Sequence, residues 1–571
     1  MRCVPKYAKQ NKEEMDLDQR NVIELFDEEA AKYADKPALS ANGKTYTYRE
    51  LQAATIRTAR QLQKMGVQPD TVVPVEVDRS AESIIRILGI LRAGAAYLPV
   101  DVLLPEDRIR YMTEKVGAAL TLHLGETLPE PDSEETAVFH CRGNSRSAAY
   151  VMFTSGSEGM PKGVVVEDRG IIRLVRETDY FPFSDRLTFM QSGTLCFDAS
   201  TFDVFGALLN GATLCMIEKE TLLDPVLLKQ ALLRQKVDSM FLTTPLFHQL
   251  VTTDPACLDS LQNLIVGGDI LYTEDAVGFK QRYPHIRLFN GYGPTENTTF
   301  SLVYEIDGTE TGNIPIGKPI ANSSCFILDA QGKPVQPGEK GELYVGGEGV
   351  ARGYIADEAR TNDKFIPNPF GDGMLYKTGD LAYESGGNVM FCGRIDSQVK
   401  IRGFRIELDE IQKTMLEHAF VKECFLLCET IDGEKTLAAF IVYRPDGTEA
   451  ELLSYLRKKM PEYMLPSVFV KLEKMPLNLN GKVDKLALRR ILQERTVPEV
   501  HSDEITTLLS KHLKQAVQND DRLYEIGMNS LTAIRLYSDL KKAGYPASLK
   551  DILSARTVYE LKTTLQSRIS R

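Results

Sequence analysis

The chain has 571 residues, of which 43% are hydrophobic and 26% charged, and its formal net charge is -11. A chain of this length exceeds a single hydrophobic core, so we expect roughly three or four domains. The negative net charge argues against nucleic acid or an anionic membrane as the main partner.

Targeting and membrane-spanning signals are not evident in the sequence. Residues 1–20 are mostly charged and polar, unlike a signal peptide, and Arg86 and Arg92 interrupt the most apolar helix candidate, 84–98. The nine cysteines include no CxxC pair, and the seven histidines form no HxxxH pattern that would favour zinc. We therefore expect a reduced, cytoplasmic protein with buried thiols.

Short strands and helices alternate in the first half of the chain. The pattern predicts extended and helical segments in turn over 45–48, 51–65, 71–77 and 84–93. Such alternation is typical of a largely parallel α/β sheet. Two later apolar strands, 264–266 and 286–289, run into glycine-rich turns. Because ligands gather at the carboxyl ends of parallel strands, these turns are candidate site loops.

A hydroxyl- and glycine-rich loop over 154–159 follows the apolar strand 150–153. Its N–H groups and hydroxyls, together with Lys162, suit a polyphosphate. The loop departs from the P-loop NTPase pattern, because Pro161 precedes the lysine and Gly163 replaces the magnesium-binding hydroxyl. On local composition alone, an ordinary strand-to-helix turn fits as well.

The second half of the chain has a different texture. Glycine-rich segments over 341–347 and 383–391 indicate β structure that closes the larger unit. A basic strand over 398–402 opens a compact α+β segment, and the stretch 495–502 is predicted to be a linker. Beyond it, apolar residues at helical spacing predict a small helical bundle.

Seven motifs together carry a resemblance to a known family. In chain order they are LRAGAAYLPVD (91–101), YVMFTSGSEGMPKGVV (150–165), FDASTFD (197–203), NGYGPTE (290–296), YKTGD (376–380), GRIDSQVK (393–400) and NLNGKVD (478–484). Any one of them could arise by chance. The ordered series resembles the amino-acid adenylation domains of nonribosomal peptide synthetases, followed by a peptidyl carrier domain, and it covers nearly everything from Asn21 onward.

The resemblance implies a multidomain α/β fold. A large adenylate-forming core would contain two α/β subdomains and a β subdomain, followed by a small α+β C-terminal subdomain and a helical-bundle carrier domain. The predicted divisions are a tail, the adenylation core, the mobile C-terminal subdomain, a linker and the carrier domain, at 1–20, 21–395, 396–494, 495–502 and 503–571. Asp396 matches the hinge about which the family's small subdomain rotates.

The implied enzyme is an ATP-dependent ligase that releases AMP and pyrophosphate. An amino-acid carboxylate would attack the α-phosphate of ATP to give aminoacyl-AMP. Because a weak nucleophile meets a polyanion, charge neutralisation and in-line positioning must supply most of the rate. The aminoacyl group would then pass, as a thioester, to a 4'-phosphopantetheine arm on the chain's own carrier domain.

Family positions also imply a nucleotide site. Lys482 matches the lysine that bridges the substrate carboxylate and the α-phosphate, and Glu296 matches the Mg²⁺ ligand. Asp380 would accept hydrogen bonds from the ribose hydroxyls, with Arg394 as a second contact. The other positions carried over to ATP are Thr154, Ser155, Gly156, Lys162, Asn290, Tyr292 and Thr295, with the ring of Tyr292 against adenine.

The amino-acid pocket is centred on Asp198, which matches the residue that binds the substrate α-amino group. An unpaired carboxylate beside phenylalanines would otherwise be costly. The implied walls are Ala199, Phe202, Leu242, Ile265, Gly267, Gly291, Thr299 and Phe300. These walls carry no second charge and resemble the family's pattern for valine, with isoleucine next. Such a pocket separates neighbours that differ by one methylene by ~1–3 kcal/mol.

Ser530, in the motif GMNSL over 527–531, matches the phosphopantetheine attachment site. At the start of a helix, the dipole would suit the phosphodiester, although a serine there is also an ordinary N-cap. Lys400 lies in the strand that the family brings to the site for the second reaction. The implied partners are a phosphopantetheinyl transferase, condensation and thioesterase modules, and a small MbtH-like activator.

Some positions depart from the family pattern. Glu158 replaces a threonine, Met528 replaces a glycine, and 167–168 lack a common histidine. Two other functions are compatible with parts of the pattern. An acyl-CoA or aryl-CoA ligase of the same superfamily is disfavoured by Asp198 and the fused carrier, and an inactive binding or scaffold relative is disfavoured by the retained Lys482, Glu296 and Asp380.

Overall fold

The structure is a computed structural model. It describes residues 19–128, 143–156, 159–176, 178–401, 403–431, 434–445, 447–478, 482–494, 503–513, 517–523, 526–528 and 530–569. Most of the predicted tail and all of the predicted linker lie outside the described residues, as does Glu158.

The large part of the chain extends to Arg394. Its strands are β1 (Pro37–Ala41), β2 (Lys44–Thr47), β3 (Val72–Glu76), β4 (Ala96–Val100), β5 (Ala148–Thr154), β6 (Lys162–Glu167), β7 (Thr188–Gln191), β8 (Thr213–Met216), β9 (Ser239–Thr243), β10 (Asn263–Gly267), β11 (Arg287–Tyr292), β12 (Leu302–Ile306), β13 (Lys318–Pro319), β14 (Ser323–Leu328), β15 (Gly341–Gly347), β16 (Gly353–Tyr354), β17 (Phe365–Pro367), β18 (Met374–Ser385) and β19 (Asn388–Arg394). Its helices are α1 (Val22–Lys32), α2 (Tyr48–Lys64), α3 (Ala81–Arg92), α4 (Glu106–Lys115), α5 (Asp168–Val175), α6 (Ser200–Leu208), α7 (Lys219–Leu223), α8 (Pro225–Gln235), α9 (Thr244–Thr253), α10 (Thr273–Arg282) and α11 (Glu358–Lys364).

Two α/β sheets and one β sheet form this large part, as the fold class predicted. The nine-stranded sheet has the order β13-β12-β11-β10-β9-β7-β8-β1-β2, and β1 and β7 to β11 pair in parallel at its centre. In the second sheet, β16-β6-β5-β4-β3, β6 pairs antiparallel with both β16 and β5, and β5, β4 and β3 form a parallel trio. The third sheet, β14-β15-β18-β17 with β19, is antiparallel throughout.

The smaller parts follow in sequence. The α+β part contains β20 (Gln398–Ile401), β21 (Phe404–Glu407), α12 (Leu408–Leu416), β22 (Val421–Ile431), β23 (Glu434–Tyr443), α13 (Glu449–Lys459), β24 (Val468–Lys471) and α14 (Lys485–Gln493). The last part contains the helices α15 (Glu504–Leu513), α16 (Ser530–Lys542), α17 (Leu549–Ser554) and α18 (Val558–Ile569). The sequence predicted the α+β character of the first of these parts without its individual helices, and it predicted α15, α16 and α18 of the last part but not the short α17.

The two arginines that interrupt the apolar run of α3 are buried rather than exposed. Arg92 is 1% exposed and donates two hydrogen bonds to Asp27, at 2.8 and 2.6 Å. Arg86 donates to backbone carbonyls and pairs with Glu82. The run is therefore an interior helix of the core. Among the described residues, no helix combines the length and the apolar character that crossing a bilayer requires.

Candidate active site

The predicted phosphate loop is the turn of a β-hairpin. Strand β5 pairs antiparallel with β6, and Thr154 lies opposite Lys162 at the end of the ladder. The strand-to-helix alternative is therefore wrong, because the apolar residues after Lys162 continue as a buried strand. The hairpin turns Lys162 inward, where its side chain is 6% exposed.

Lys162 meets the predicted metal ligand in a buried cluster. Its Nζ lies 2.9 Å from Oε1 of Glu296 and donates to the hydroxyl of Tyr354 at 3.0 Å. Tyr354 in turn donates to Glu296 at 2.8 Å. Glu296 follows β11 in a short 3-10 turn, Thr295–Asn297, and is fully buried.

A third donor reaches Glu296 from the small α+β part. Arg405, in β21, donates to both carboxylate oxygens of Glu296, at 3.0 and 2.8 Å. Burial alone would raise the pKa of Glu296, but Arg405 and Lys162 outweigh it and hold that pKa well below its usual range. Burial lowers the pKa of Lys162 to about 8, and Arg405 adds to this effect while Glu296 opposes it.

The cluster fits a magnesium–phosphate group. Glu296 is a buried, ionised carboxylate, which is a hard oxygen ligand for Mg²⁺. The hydroxyl of Thr154 is buried and, within the described residues, has no hydrogen-bond partner. A buried polar group without a partner is unusual, and a phosphate oxygen would satisfy it.

The small α+β part covers the phosphate loop with further contacts. Ser155 Oγ donates to the carbonyl of Arg405 at 2.7 Å, and the Gly156 N–H donates to Glu410 at 3.0 Å. Glu410 also pairs with Arg108 of α4 at 2.8 Å, where both side chains are under a tenth exposed. The Glu410 carboxylate therefore accepts a hydrogen bond from the Gly156 N–H, a group that was predicted to bind a phosphate oxygen.

The predicted ribose residues form a second cluster with the hinge. Asp380 accepts hydrogen bonds from the Tyr292 hydroxyl and from Arg394. Arg394 also makes a two-pronged contact with Asp396, at 2.7 and 2.8 Å. Arg394 thus joins a position predicted to bind the ribose to the position predicted to be the hinge.

The other nucleotide positions lie around these clusters. The side-chain amide of Asn290, in β11, donates to the carbonyl of Pro315 at 2.7 Å. Thr295 is half-buried at the start of the turn that carries Glu296. Its hydroxyl opposes the rise in the pKa of the Asp198 carboxyl, which connects the predicted nucleotide side to the predicted amino-acid side.

Of the two lysines predicted to act in the reactions, one lies at the site and the other lies away from it. Lys400, in β20, is half-buried, and its Nζ lies 5.8 Å from the ring centroid of Tyr292. Lys482 is exposed, and its backbone N–H donates to the Asn478 side chain at 3.1 Å, on a turn outside these clusters. The structure therefore brings Lys400 to the site and leaves Lys482 away from it.

Lys400 acts electrostatically on the carboxyl of Asp198. Burial raises the pKa of Asp198, while the Thr295 hydroxyl and Lys400 oppose that effect. The backbone carbonyl of Asp198 accepts hydrogen bonds from Thr201 at 2.5 Å and Thr299 at 2.9 Å. These bonds fix the start of α6, where Ala199 is the N-cap residue and Phe202 lies in the first turn.

The pocket walls lie together, with one correction. Ile265 faces Phe241 across the β9–β10 pair, and both belong to the same buried cluster as Phe202 and Phe300. Leu242 was predicted as a wall, but it packs in the cluster on the opposite face of the sheet. Because side chains alternate along a strand, an alignment error of one residue moves the assignment to the other face.

The pocket glycines are tightly enclosed. A methyl group at Gly291 would lie 2.7 Å from the Phe300 ring and 3.2 Å from Ile265, and one at Gly267 would lie 2.6 Å from the Gly291 carbonyl. The rings of Phe241 and Phe300 are 6.0 Å apart, and those of Phe202 and Phe300 are 5.7 Å apart. Aromatic side chains therefore fill the space beside these glycines.

The helical part at the chain's end packs on the large part. Arg535 of α16 donates to Gln249 of α9 at 3.2 Å. Ser530 is the first residue of α16, as predicted for an attachment site at a helix start. Met528, which replaces the usual glycine, is 3% exposed and packs in the apolar interior of this part.

Sequence reasoning missed Tyr354, Arg405, Glu410, Arg108 and Phe241. Two of them had a usable signal, and the signal for Arg405 was its place next to the basic strand expected to approach the site. Tyr354 and Arg108 come from distant segments whose convergence depends on the tertiary fold. Phe241 would have been found by testing both faces of β9 against the apolar pattern.

Family models match most of the chain. The model of the AMP-binding enzyme matches residues 26–355, that of the AMP-binding enzyme C-terminal domain matches 410–482, and that of the phosphopantetheine attachment site matches 503–565. Among curated proteins, tyrocidine synthase 3 of Brevibacillus parabrevis is 42% identical over 95% of this chain, and gramicidin S synthase 2 of Aneurinibacillus migulanus is 42% identical over 91%. The chain spans only 9% and 12% of the length of these two relatives.

Solved structures are similar over nearly the whole chain. One is holo-PA1221, an NRPS protein containing adenylation and PCP domains bound to a vinylsulfonamide inhibitor. It is 31% identical, with a TM-score of 0.86, over 96% of this chain and 97% of that one. Another is the artificially fused adenylation–PCP di-domain NpsA-ThdA from Klebsiella oxytoca, which is 26% identical with a TM-score of 0.73, over 88% of this chain and 98% of that one.

Proposed function

We propose a substrate and a reaction order for this chain, which belongs to the AMP-binding enzyme family as a nonribosomal peptide synthetase adenylation domain fused to a peptidyl carrier domain. It is an ATP-dependent ligase that works with Mg²⁺ and a 4'-phosphopantetheine arm. Its substrate is a small branched aliphatic amino acid, valine first and isoleucine second. The observation that carries this assignment is the cluster of buried apolar side chains that follows Asp198, which contains Phe202, Phe241, Ile265 and Phe300.

The pocket favours a short side chain. Asp198 offers a carboxylate to the substrate α-amino group, and aryl acids have no such group. Phe241 in place of Leu242 adds an aromatic ring to the wall, and Phe300 closes the space next to Gly291. Because no second charged side chain lies among the proposed walls, a charged substrate would be buried without a partner.

The proposed first reaction needs Lys482 at the site. There its ammonium would neutralise the substrate carboxylate and the α-phosphate, while Lys162, Thr154, Ser155 and Gly156 hold the other phosphates. Magnesium, when bound at Glu296, supplies charge neutralisation at the phosphates. Asp380 and Arg394 orient the ribose, and the ring of Tyr292 packs on adenine.

The proposed second reaction uses the arrangement seen in the structure. Lys400 and Arg405 lie inside the cleft, and the phosphate loop is occupied by contacts from the small subdomain. The arm, when attached to Ser530, supplies the thiol that receives the aminoacyl group. Rotation of the small subdomain about Asp396 would move Lys482 out of the cleft after the first reaction and bring Lys400 into it for the second.

The remaining assignments stay proposals. The domain boundaries are 21–395, 396–494 and 503–571, with the subdomain change at Asp396. Because the chain spans about a tenth of its longer relatives, transfer to other synthetase modules and loading by a phosphopantetheinyl transferase are proposed from those relatives. A cytoplasmic location and an MbtH-like activator stay predictions from the sequence.

The test is amino-acid-dependent ATP–pyrophosphate exchange with all twenty amino acids. We expect valine to give the fastest exchange and isoleucine the next, with charged and aromatic amino acids near background. Fastest exchange with a charged or aromatic amino acid would overturn the substrate assignment. Exchange that is driven by aryl or fatty acids and by no amino acid would overturn the role of Asp198.

A further inference from the structure

Arg173 is a fully buried arginine that lies outside both clusters of the site. It belongs to α5 and is 0% exposed. Among the described residues no carboxylate pairs with it. Burial lowers the pKa of Arg173 to about 10, so the guanidinium still carries its charge at neutral pH. A buried charge without a counter-ion is costly unless other polar groups compensate for it.

Backbone carbonyls of a single loop provide most of this compensation. Arg173 Nη2 donates to the carbonyls of Asn297 and Thr298, both at 2.9 Å, and Nη1 donates to the carbonyl of Phe300 at 2.8 Å. Nη1 also donates to Ser323 Oγ at 2.8 Å. Three of the four bonds therefore hold the segment 297–300.

The segment 297–300 needs such support. Thr298 and Thr299 have φ angles of +46° and +67°, a left-handed conformation that β-branched residues rarely adopt. Strained residues persist where the surroundings over-determine them, and they concentrate at functional sites. The hydroxyl of Thr298 adds a bond to the Gly349 carbonyl at 2.7 Å.

The same segment shapes the amino-acid pocket. Thr299 bonds to the Asp198 carbonyl, and Phe300 closes the space beside Gly291. Glu296 immediately precedes the segment. We propose that Arg173 is a positioning residue that fixes the 297–300 loop and thereby sets the size selectivity of the amino-acid pocket. This inference rests on the proposed function, because it assigns Thr299 and Phe300 to that pocket.

The main test compares Arg173→Met with Arg92→Met. Arg92 is a matched control, since it is also buried in the large part but pairs with Asp27. In pyrophosphate exchange, we expect Arg173→Met to narrow the kcat/KM ratio of valine over isoleucine by about fivefold or more, with a higher KM for valine. Arg92→Met should keep the wild-type ratio. A wild-type ratio in a folded Arg173→Met protein would overturn the proposal.

A second variant covers the case in which Arg173→Met does not fold. A methyl group at Gly349 would lie 2.4 Å from Arg173 Nη2, so Gly349→Ala should displace the guanidinium while keeping its charge. We expect the same narrowing of the valine preference. An unchanged preference in Gly349→Ala would contradict the proposal.

A third readout separates this inference from the proposed function. Amide hydrogen exchange of the segment 297–300 needs no substrate, and we expect faster exchange there in Arg173→Met or Gly349→Ala than in Arg92→Met. If the segment exchanges as slowly in either folded variant as in the wild type, the proposed positioning role of Arg173 is overturned. Lack of amino-acid-dependent activity in the wild type would instead overturn the proposed function.

Discussion

The two ends of the cleft are held together in different ways. At the phosphate end, buried ion pairs cross between two parts of the chain, as Arg405 does to Glu296 and Arg108 to Glu410. At the amino-acid end, aromatic packing and bonds to backbone carbonyls stay within the large part. An ion pair can exchange a carboxylate for a phosphate, whereas a packed wall cannot change its shape without loss. The phosphate end is therefore suited to change partners and the amino-acid end to stay fixed.

The largest effect on activity is expected from substituting Lys482, the lysine that lies outside the cleft. Lys482→Ala should lower ATP–pyrophosphate exchange by about a hundredfold or more, because the variant lacks the cation at the α-phosphate. Transfer from supplied aminoacyl-AMP to the carrier should persist, since the arrangement of that step does not use Lys482. Radiolabelled exchange and intact-protein mass spectrometry measure the two steps. Equal loss of both would contradict the division of labour between the lysines.

Arg405→Ala should act mainly on the second step. Removing one partner of a buried ion pair costs ~3–5 kcal/mol, so the docked arrangement should become rare. We expect transfer from supplied aminoacyl-AMP to fall about tenfold more than exchange does. Lys459→Ala is the control, because its pair with Asp107 crosses the same interface but is exposed. A transfer rate unaffected by Arg405→Ala would show that this ion pair does not support docking.

The amino-acid end can be tested through the two faces of β9. Phe241→Ala should open the pocket and shift the preference from valine towards larger aliphatic substrates by about tenfold. Leu242→Ala should cost ~2–5 kcal/mol of folding free energy and leave the preference unchanged, because Leu242 packs on the opposite face. A substrate panel and thermal unfolding distinguish the two results. A preference shift in Leu242→Ala alone would restore the original assignment.

The smallest expected effect concerns pH. The pKa of Lys162 is about 8, so its cation is present below this value and is lost as the pH rises through it. The affinity for pyrophosphate, measured by calorimetry, should fall more steeply above pH 8 in the wild type than in Lys162→Arg, whose guanidinium stays charged. Parallel pH profiles for the two proteins would show that Lys162 does not titrate in this range.

Local patterns predicted most of the fold. The apolar strands and amphipathic helices lie within a few residues of their predicted positions. The strand 264–266 lies inside β10, and the helix 84–93 starts three residues after α3 begins and ends one residue after α3 ends. The hairpin at the phosphate loop was missed because the short apolar run after Lys162 is compatible with a second strand and also with the start of a helix. The short helix α17 was too brief to show a helical period.

The sequence predicted the site less completely. Motifs indicated Glu296, Lys162 and Asp380, whose neighbours along the chain are distinctive. Their actual partners, such as Tyr354 and Arg405, come from segments far away, and no periodicity in one sequence encodes such contacts. The error at Leu242 has the same origin, since strand register depends on pairing with β10 rather than on local composition.

The central claim is that the phosphate end of the cleft changes its partners between the two reactions. The most direct test is to lock the small α+β part in the position seen in the structure, where it contacts the phosphate loop. Lys459 Nζ lies 3.2 Å from Asp107 Oδ2 across the interface between the small α+β part and the large part. A short, reducible thiol cross-linker between Asp107→Cys and Lys459→Cys should therefore hold the two parts together. The cross-linked protein should transfer from supplied aminoacyl-AMP but show no ATP–pyrophosphate exchange, and reduction should restore exchange. The unsubstituted protein, treated in the same way, is the control for native thiols. Full exchange in the cross-linked protein would contradict the account.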